Sequence, residues 1–306
     1  MTENNDTEND LLEQYFAQKM TPLIDKINTL KARYRSRFWG TLWTVIFLVS
    51  INILFALFNV LIYKHPFNLE QLLVVIIGAT IIILWPLLQY KKQHFPDIFG
   101  TFLQFYGDWQ HTQSTEKRPI SGSLPILPPH NLEQTMHTIT GKYLGTDIML
   151  SDIQYWQKSK KVSNGVLVEL TFPQKVTDEI LLFAKNGFYR KNKRVNMNLL
   201  NEQIFIPAAA YFNIFSPQPK APKQLLCSPF FEKVLDTHDV FKANLIYVAL
   251  QANKVFIYLE GCQIYFAQNG IWQRKLDDSK FKSLHCKITE VLQFVELIQE
   301  IKARDE

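Results

Sequence analysis

His238, flanked by Asp236 and Asp239, forms the one local cluster of metal-compatible residue types in the chain. Imidazole and carboxylate are ligand types for a divalent ion, but a closed site needs a further His or Cys at ligand spacing, and the flanking sequence supplies none. A solvated helix end is the reading this trio favours. Glu260-Gly261-Cys262 places a thiol near a carboxylate. That charge raises a thiol pKa and suppresses the thiolate, so a buried small residue at a strand end is expected instead of a nucleophile. The other histidines, His65, His94, His111, His130, His137 and His285, are dispersed, and there is no glycine-rich phosphate loop, HExxH or GxSxG motif. Cys227, Cys262 and Cys286 are odd in number and lack short paired spacing. They indicate neither a disulfide framework nor a CxxC zinc site, and they suit a reducing cytosol. These residues predict no catalytic group, no cofactor and no metal; whether the chain is an enzyme stays open, with the balance against.

Positive charge is the stronger surface signal. Arg190, Lys191, Lys193 and Arg194 surround Asn192 behind Phe188 and Tyr189, and Lys158, Lys160 and Lys161 form a second cluster. Beside an anionic leaflet each such side chain contributes ~1 kcal/mol, so the first cluster reads as a lipid-facing patch; a solvated β-turn is the alternative. Nucleic acid is not expected. The net charge of +5 is mild, and no stacking motif adjoins a broad basic face.

The elements that must position these groups begin with two apolar runs, Phe38 to Tyr63 and Leu72 to Tyr90, neither containing a charged side chain. As helices they reach ~39 Å and ~28 Å against a hydrocarbon core of ~30 Å, which predicts a two-helix transmembrane hairpin. Core helices of soluble proteins are usually shorter and seldom avoid charge for so long. A signal peptide would have a shorter apolar run close behind a short basic start. Lys31, Arg33, Arg35 and Arg37 precede the first run, and Lys91 and Lys92 follow the second. That bias puts both termini in the cytoplasm, with Trp39, Trp43, Trp85, Tyr90, Arg35, Arg37, Lys91 and Lys92 as interface anchors and Tyr63 in the outer belt. The first run exceeds the bilayer's need, so it should tilt or emerge as a continuous helix.

Within the hairpin, counting from the turn brings Ser50 and Asn52 to the depth of Gly78, Ala79 and Thr80. Small residues there predict helix-helix contact through Ser50, Asn52, Gly78 and Thr80. Asn52 and Asn59 share a face, as a polar seam for transport or as hydrogen-bonded glue. Without an ionisable group in either span, glue is favoured. Self-association through that face is the accompanying expectation.

The remaining chain divides by composition. Residues 1–11 are an acidic tail expected to be disordered. Residues 12–37 carry an amphipathic seam of Phe16, Met20, Leu23, Ile27, Leu30 and Tyr34, interrupted by Pro22. After the hairpin, 38–90, comes a segment 91–131. Its start, Phe95 to Trp109, reads as a helix near the membrane surface with Phe99, Leu103 and Tyr106 on one side, or as an ordinary core helix. Its end, Ser114 to Asn131, is Pro-rich and reads as a linker. Residues 132–306 then form a cytoplasmic, mainly antiparallel α+β domain. Tyr143 to Ile153, Val166 to Phe172, Ile180 to Phe183 and Gln203 to Ile206 are β-prone, with turns at Asn164-Gly165, Pro173 and Asn186-Gly187. Leu245 to Leu250 and Val255 to Glu260 make the clearest hairpin, and a meander is the simplest topology. Ser228 caps and Pro229 opens a short helix through Phe231, Val234 and Leu235. A long amphipathic helix from about Ser279 ends the chain, with Phe281, Leu284, Ile288, Val291, Val295 and Ile298 as its stripe.

The basic flank, the close membrane pair, Lys142-Tyr143-Leu144-Gly145-Thr146-Asp147, Ser228-Pro229-Phe230-Phe231-Glu232 and the late hairpin together resemble bacterial membrane proteins of domain-of-unknown-function family 3137. Phe183-Ala184-Lys185 departs from the Phe-x-Gly segment expected there, its glycine delayed to Gly187. The resemblance implies a bacterial inner-membrane protein and supplies no activity or functional residues. The expected function is a membrane-anchored binding or scaffold module that contacts anionic lipid, a protein partner or a second copy. The alternatives are a membrane-tethered enzyme with a scattered site and a structural subunit of an envelope complex.

Overall fold

The computed structural model describes residues 10–63, 69–92, 97–114, 117–119, 124, 126–127, 132–157, 160–186, 198–199, 210–217, 228–264 and 275–303. The chain forms two compact units, Met1–Ile98 with Ala267–Asp278 and Phe99–Phe266 with Ser279–Glu306. In order, the architecture is a long apolar helix, an antiparallel sheet and a C-terminal helix, an α+β fold.

In the first unit, helix α1 (Thr21–Tyr63) runs unbroken through the basic flank and the whole first apolar run. Pro22 does not interrupt it. Helical residues from Asp10 precede α1, and the π-turn Phe16–Met20, where the Thr21 N–H reaches the Phe16 carbonyl, widens the helix immediately before the proline and accommodates it. The wide turn adds a residue and rotates the seam. The buried positions after Met20 are Ile24, Ile27, Lys31 and Tyr34, with the expected Leu23 and Leu30 only half-buried. Asn28 clamps the later segment of this unit, donating from Nδ2 to the Leu276 carbonyl (2.7 Å) and accepting the Leu276 N–H on Oδ1 (2.9 Å). Helix α2 (Leu69–Lys92) follows. Its Tyr90 meets Tyr34 edge-on at 5.4 Å, in a cluster with Leu30 and Leu87. Both helices are long and apolar enough to cross a membrane, and in their most apolar windows only 6% and 11% of the residues are buried.

The second unit is built on ten strands: β1 (Gln110–Gln113), β2 (Lys117–Pro119), β3 (Leu132–Tyr143), β4 (Thr146–Gln157), β5 (Lys160–Thr171), β6 (Thr177–Ala184), β7 (Asn198–Leu199), β8 (Phe212–Ser216), β9 (Leu245–Ala252) and β10 (Lys254–Glu260). Their order is β1-β3-β4-β5-β10-β9-β6-β8-β7, with β2 also on β3. The expected meander holds only for β3-β4-β5. The β9-β10 hairpin inserts between β5 and β6, because Ile246 to Leu250 and Val255 to Leu259 are buried on both faces and belong at a sheet centre.

Several local expectations change. The run from Tyr143 to Ile153 is not one strand: Leu144 (φ 46°) and Gly145 (φ 78°) form the two-residue turn between β3 and β4. Asn164-Gly165 is not a turn but lies inside β5, where a Cβ on Gly165 would overlap the Leu259 carbonyl. The supposed linker contributes β2, and Leu124, Ile126 and Leu127 pack in a core with Tyr155, Phe183, Tyr247 and Tyr258. The folded unit therefore begins before residue 132. The aromatic segment before it holds only a short helix, α3 (Ile98–Leu103), whose Phe99 and Phe102 are buried and meet Phe281 at 5.8 and 5.4 Å. It is core, not a membrane-surface helix. Gln203 to Ile206 lies outside the described residues.

The helices on the other sheet face follow the sequence closely. Helix α4 (Ser228–Phe241) starts at the expected cap, and α5 (Asp278–Ala303) buries its whole predicted stripe. They meet through Phe230 and Phe294, rings 5.8 Å apart, and through Glu290, which pairs with Lys233 (2.9 Å) and accepts from Thr237 (3.0 Å). Helix α5 is tied to the β3-β4 turn, with Tyr143 donating to Glu296 (2.5 Å) and Gln299 donating to the Leu144 carbonyl (2.8 Å).

Three glycines distinguish close packing from mere smallness. Gly165→Ala must push on backbone and Gly141→Ala on the Trp109 indole, whereas a Cβ on Gly78 meets nothing within 4 Å. Thermal unfolding of the full chain should show losses of about 2 kcal/mol or more for the first two and a neutral or slightly stabilising effect for Gly78→Ala.

Candidate functional site

Among the described residues of the second unit, two clefts carry polar side chains. The larger, ≈ 560 Å³, lies at the polar end of β3, β4 and β5, lined by Thr140, Lys142, Asp147, Met149, Glu169 and Thr171, with Asp108, Trp109 and Gln110 at its rim. Alternation along the three strands explains it: the residues that line one face are aromatic or aliphatic toward Tyr155 and Tyr258, and polar at this end. Trp109 is held over Gly141, where a side chain would collide with the indole. Two of the three cleft carboxylates have lysine partners. Lys142 sits 3.6 Å from Asp147 on the exposed rim, and Lys254 reaches Glu169 at 2.6 Å while covering the Phe256 ring. Such a surface offers paired charges, hydroxyls and an indole. Those groups are able to hydrogen-bond a polar ligand.

The smaller cleft, ≈ 350 Å³, is lined by Lys185, Asn186, Tyr211, Leu235, His238, Asp239 and Asn244 among others. His238 Nδ1 lies 2.8 Å from the exposed carboxylate of Asp239. Asp236 is exposed on the same helix but does not line the cleft. Among the described residues no three His, Cys, Asp or Glu side chains converge as metal ligands.

The perturbed titratable groups of this unit lie elsewhere. Burial pushes the Cys262 thiol up to about 11, against the opposing pull of the Lys287 ammonium. Its thiol instead donates to the Leu259 carbonyl at 3.4 Å, as a strand-end structural cysteine. Lys287 is itself lowered by burial. Tyr258 and Tyr155 are raised, both chiefly by burial. Tyr258 shares Ser163 Oγ (2.9 Å) with Glu260, to which Ser163 donates at 2.9 Å. Each displacement accompanies packing in the core, and none of these side chains lines either cleft.

Two histidine contacts were invisible in the sequence. His111 Nε2 and His137 Nδ1 lie 3.2 Å apart with rings stacked at 5.4 Å, and Phe99 stacks on His111 at 5.0 Å. His285 Nδ1 meets the Tyr106 hydroxyl at 2.5 Å. The first pair required knowing that β1 lies against β3, with Gln113 opposite His137 and His111 opposite Ile139. Neither Thr- and His-rich strand carries a strong β-signal.

The predicted anchors and helix contacts fall as follows. Trp39, Trp43 and Trp85 are exposed, and Trp39 and Trp85 lie at the same end of the hairpin, each five residues from the Tyr34–Tyr90 contact. Tyr90 is buried in that contact and is a packing residue instead of an exposed anchor. Arg35 is half-buried, and Arg37 is exposed with its guanidinium 5.7 Å from the Tyr34 ring. Lys91 and Lys92 end α2, their side chains outside the described residues. Ser50, Asn52 and Thr80 are exposed and Gly78 is half-buried; the most covered positions are Val45, Pro86 and Tyr90. Coverage is thus greatest toward the Tyr34–Tyr90 end of the hairpin, at residues larger than the small ones expected. Arg190, Lys191, Lys193 and Arg194 all lie outside the described residues, and Lys160 and Lys161 are exposed at the start of β5.

No family model matches the chain, and no curated protein matches it. Among solved structures it is similar to the crystal structure of the mycobacterial trehalose monomycolate transport factor A, TtfA, at 10% identity over 64% of this chain and 90% of that chain. The TM-score is 0.35, a superposition too loose to inform the fold or the function.

Burial, with a smaller contribution from His111, lowers His137 from 6.5 to about 4. Its neutral form is the one the fold keeps, so its contribution is complete above pH 6.5 and fades as pH falls toward 4. Unfolding of the full chain followed by circular dichroism should lose on the order of 2–3 kcal/mol across that window. His137→Gln should flatten that part of the slope; an unchanged slope contradicts the assignment.

Proposed function

We propose that this chain is a membrane-anchored binding module. Two spans hold it in a bacterial inner membrane with both termini in the cytoplasm, and the α+β unit binds a protein partner or anionic lipid there without catalysing a reaction. The observation that carries the reading is the uncovered state of the two apolar helices. Phe47, Leu54, Phe55, Leu61 and Val74 are each about two-thirds exposed or more. Monomeric soluble proteins rarely present apolar surface on this scale, whereas a bilayer requires it. Exposed Trp39, Trp43 and Trp85 at one end of the hairpin, beside the basic flank, support the orientation. The resemblance to family 3137 supports the compartment.

Binding is favoured over catalysis because Asp147 and Glu169 of the larger cleft are paired with lysines and the displaced titratable groups are consumed in packing. A structural-subunit role is less favoured, since the apolar stripe of α5 is buried within its own unit.

Membranes washed at alkaline pH should retain the full chain and release it only to detergent; release by the wash alone sinks the anchor. For the lipid contact, charge reversal at Arg190, Lys191, Lys193 and Arg194 should weaken sedimentation of the excised α+β unit with anionic liposomes by tenfold or more, at ~1 kcal/mol for each lost contact. Unchanged sedimentation removes lipid from the proposal and leaves the protein partner.

A further inference from the structure

Asn52, a polar side chain in the first apolar helix, is only half provided for. Thr41, Thr44 and Thr80 each turn their single hydroxyl donor onto the carbonyl four residues back, at 2.8, 2.9 and 2.8 Å. Asn52 does the same with one amide hydrogen, donating to the Leu48 carbonyl at 2.8 Å. A carboxamide, however, has two donors and an acceptor oxygen with two lone pairs. Among the described residues, nothing donates to its Oδ1. Asn52 also stands within two residues of the middle of the Phe38 to Tyr63 run, at the depth with least access to water.

Coverage along this stripe of the first helix is uneven. Val49 and Ala56, before and after Asn52 on the same helical stripe, are half-buried, while Asn52 between them is exposed. At the matching depth of α2, the space where Gly78 would carry a side chain is empty for 4 Å. A polar group is thus left exposed midway along the first apolar run.

We propose that Asn52 pairs with Asn52 of a second copy of this chain, making the first span a self-association surface within the bilayer. The inference rests on the membrane-spanning reading above. The occupant follows from the chemistry of the amide. A lipid tail offers no donor, and an unrelated helix would need one at this depth. A second copy carries the same carboxamide at the same depth by construction. Around a twofold axis each N–H of one amide meets the Oδ1 of the other, so one residue completes both halves of an isologous contact.

The test is energy transfer between full chains carrying donor or acceptor fluorescent proteins, reconstituted together in phosphatidylcholine–phosphatidylglycerol vesicles at high lipid excess. The native chain should show transfer, Asn52→Leu should associate at least tenfold more weakly, and Asn52→Gln, which keeps the carboxamide, should stay near the native level. Transfer by Asn52→Leu equal to native, or native transfer no greater than that of an unrelated two-span control, overturns the proposal. Flotation of the same vesicles separates the two levels of the argument. Chains that fail to float overturn the membrane reading and this inference with it; chains that float without transfer overturn this inference alone.

Discussion

The constraint on which the rest depends is the apolar surface of α1 and α2 that the chain does not cover for itself. Only 6% and 11% of their most apolar windows are buried. Apolar surface left in water costs about 25 cal/mol per Å², and two such stretches without a charge fit the apolar solvent proposed above. Given that solvent, other features become consistent. Backbone hydrogen bonds are closed within each helix, threonine hydroxyls fold back onto their own carbonyls, and tryptophans gather at the end that adjoins the basic residues.

The α+β unit, by contrast, buries its own faces. It does so with a central hairpin apolar on both sides, two helices over one face and the Leu124 to Leu127 segment against the other. What remains polar and open is the end of β3, β4 and β5 and the small cleft beside α4. Recognition chemistry is therefore left at the periphery of a sheet whose interior is committed to packing.

What the sequence disclosed depended on period and length. The spans and α5 were legible because a single pattern persists over many residues, and the β9-β10 hairpin because two β-branched runs flank a short turn. In the seam before the first span Phe16, Met20, Ile27 and Tyr34 are buried as expected, while Ile24 and Lys31 take the places of Leu23 and Leu30. Gly165 suggested a turn, whereas its role is to let the β10 backbone approach; a lone glycine carries both meanings. Pro-rich composition hid strand and core residues between Lys117 and Leu127, and Thr- and His-rich β3 lacked the usual β-signal. The larger cleft could not be read at all. Its walls come from Asp108 through Thr171 and are brought together only by strand order.

The most direct measurement is labelling of single introduced cysteines by a membrane-impermeant thiol reagent, in intact spheroplasts and after lysis. In a chain whose Cys227, Cys262 and Cys286 are replaced by alanine, the account predicts that His65→Cys, between the two spans, reacts in intact spheroplasts and that Phe55→Cys reacts in neither condition; a chain that keeps only the exposed Cys286 should react only after lysis. Labelling of Phe55→Cys from the aqueous phase, or protection of His65→Cys until lysis, would contradict it.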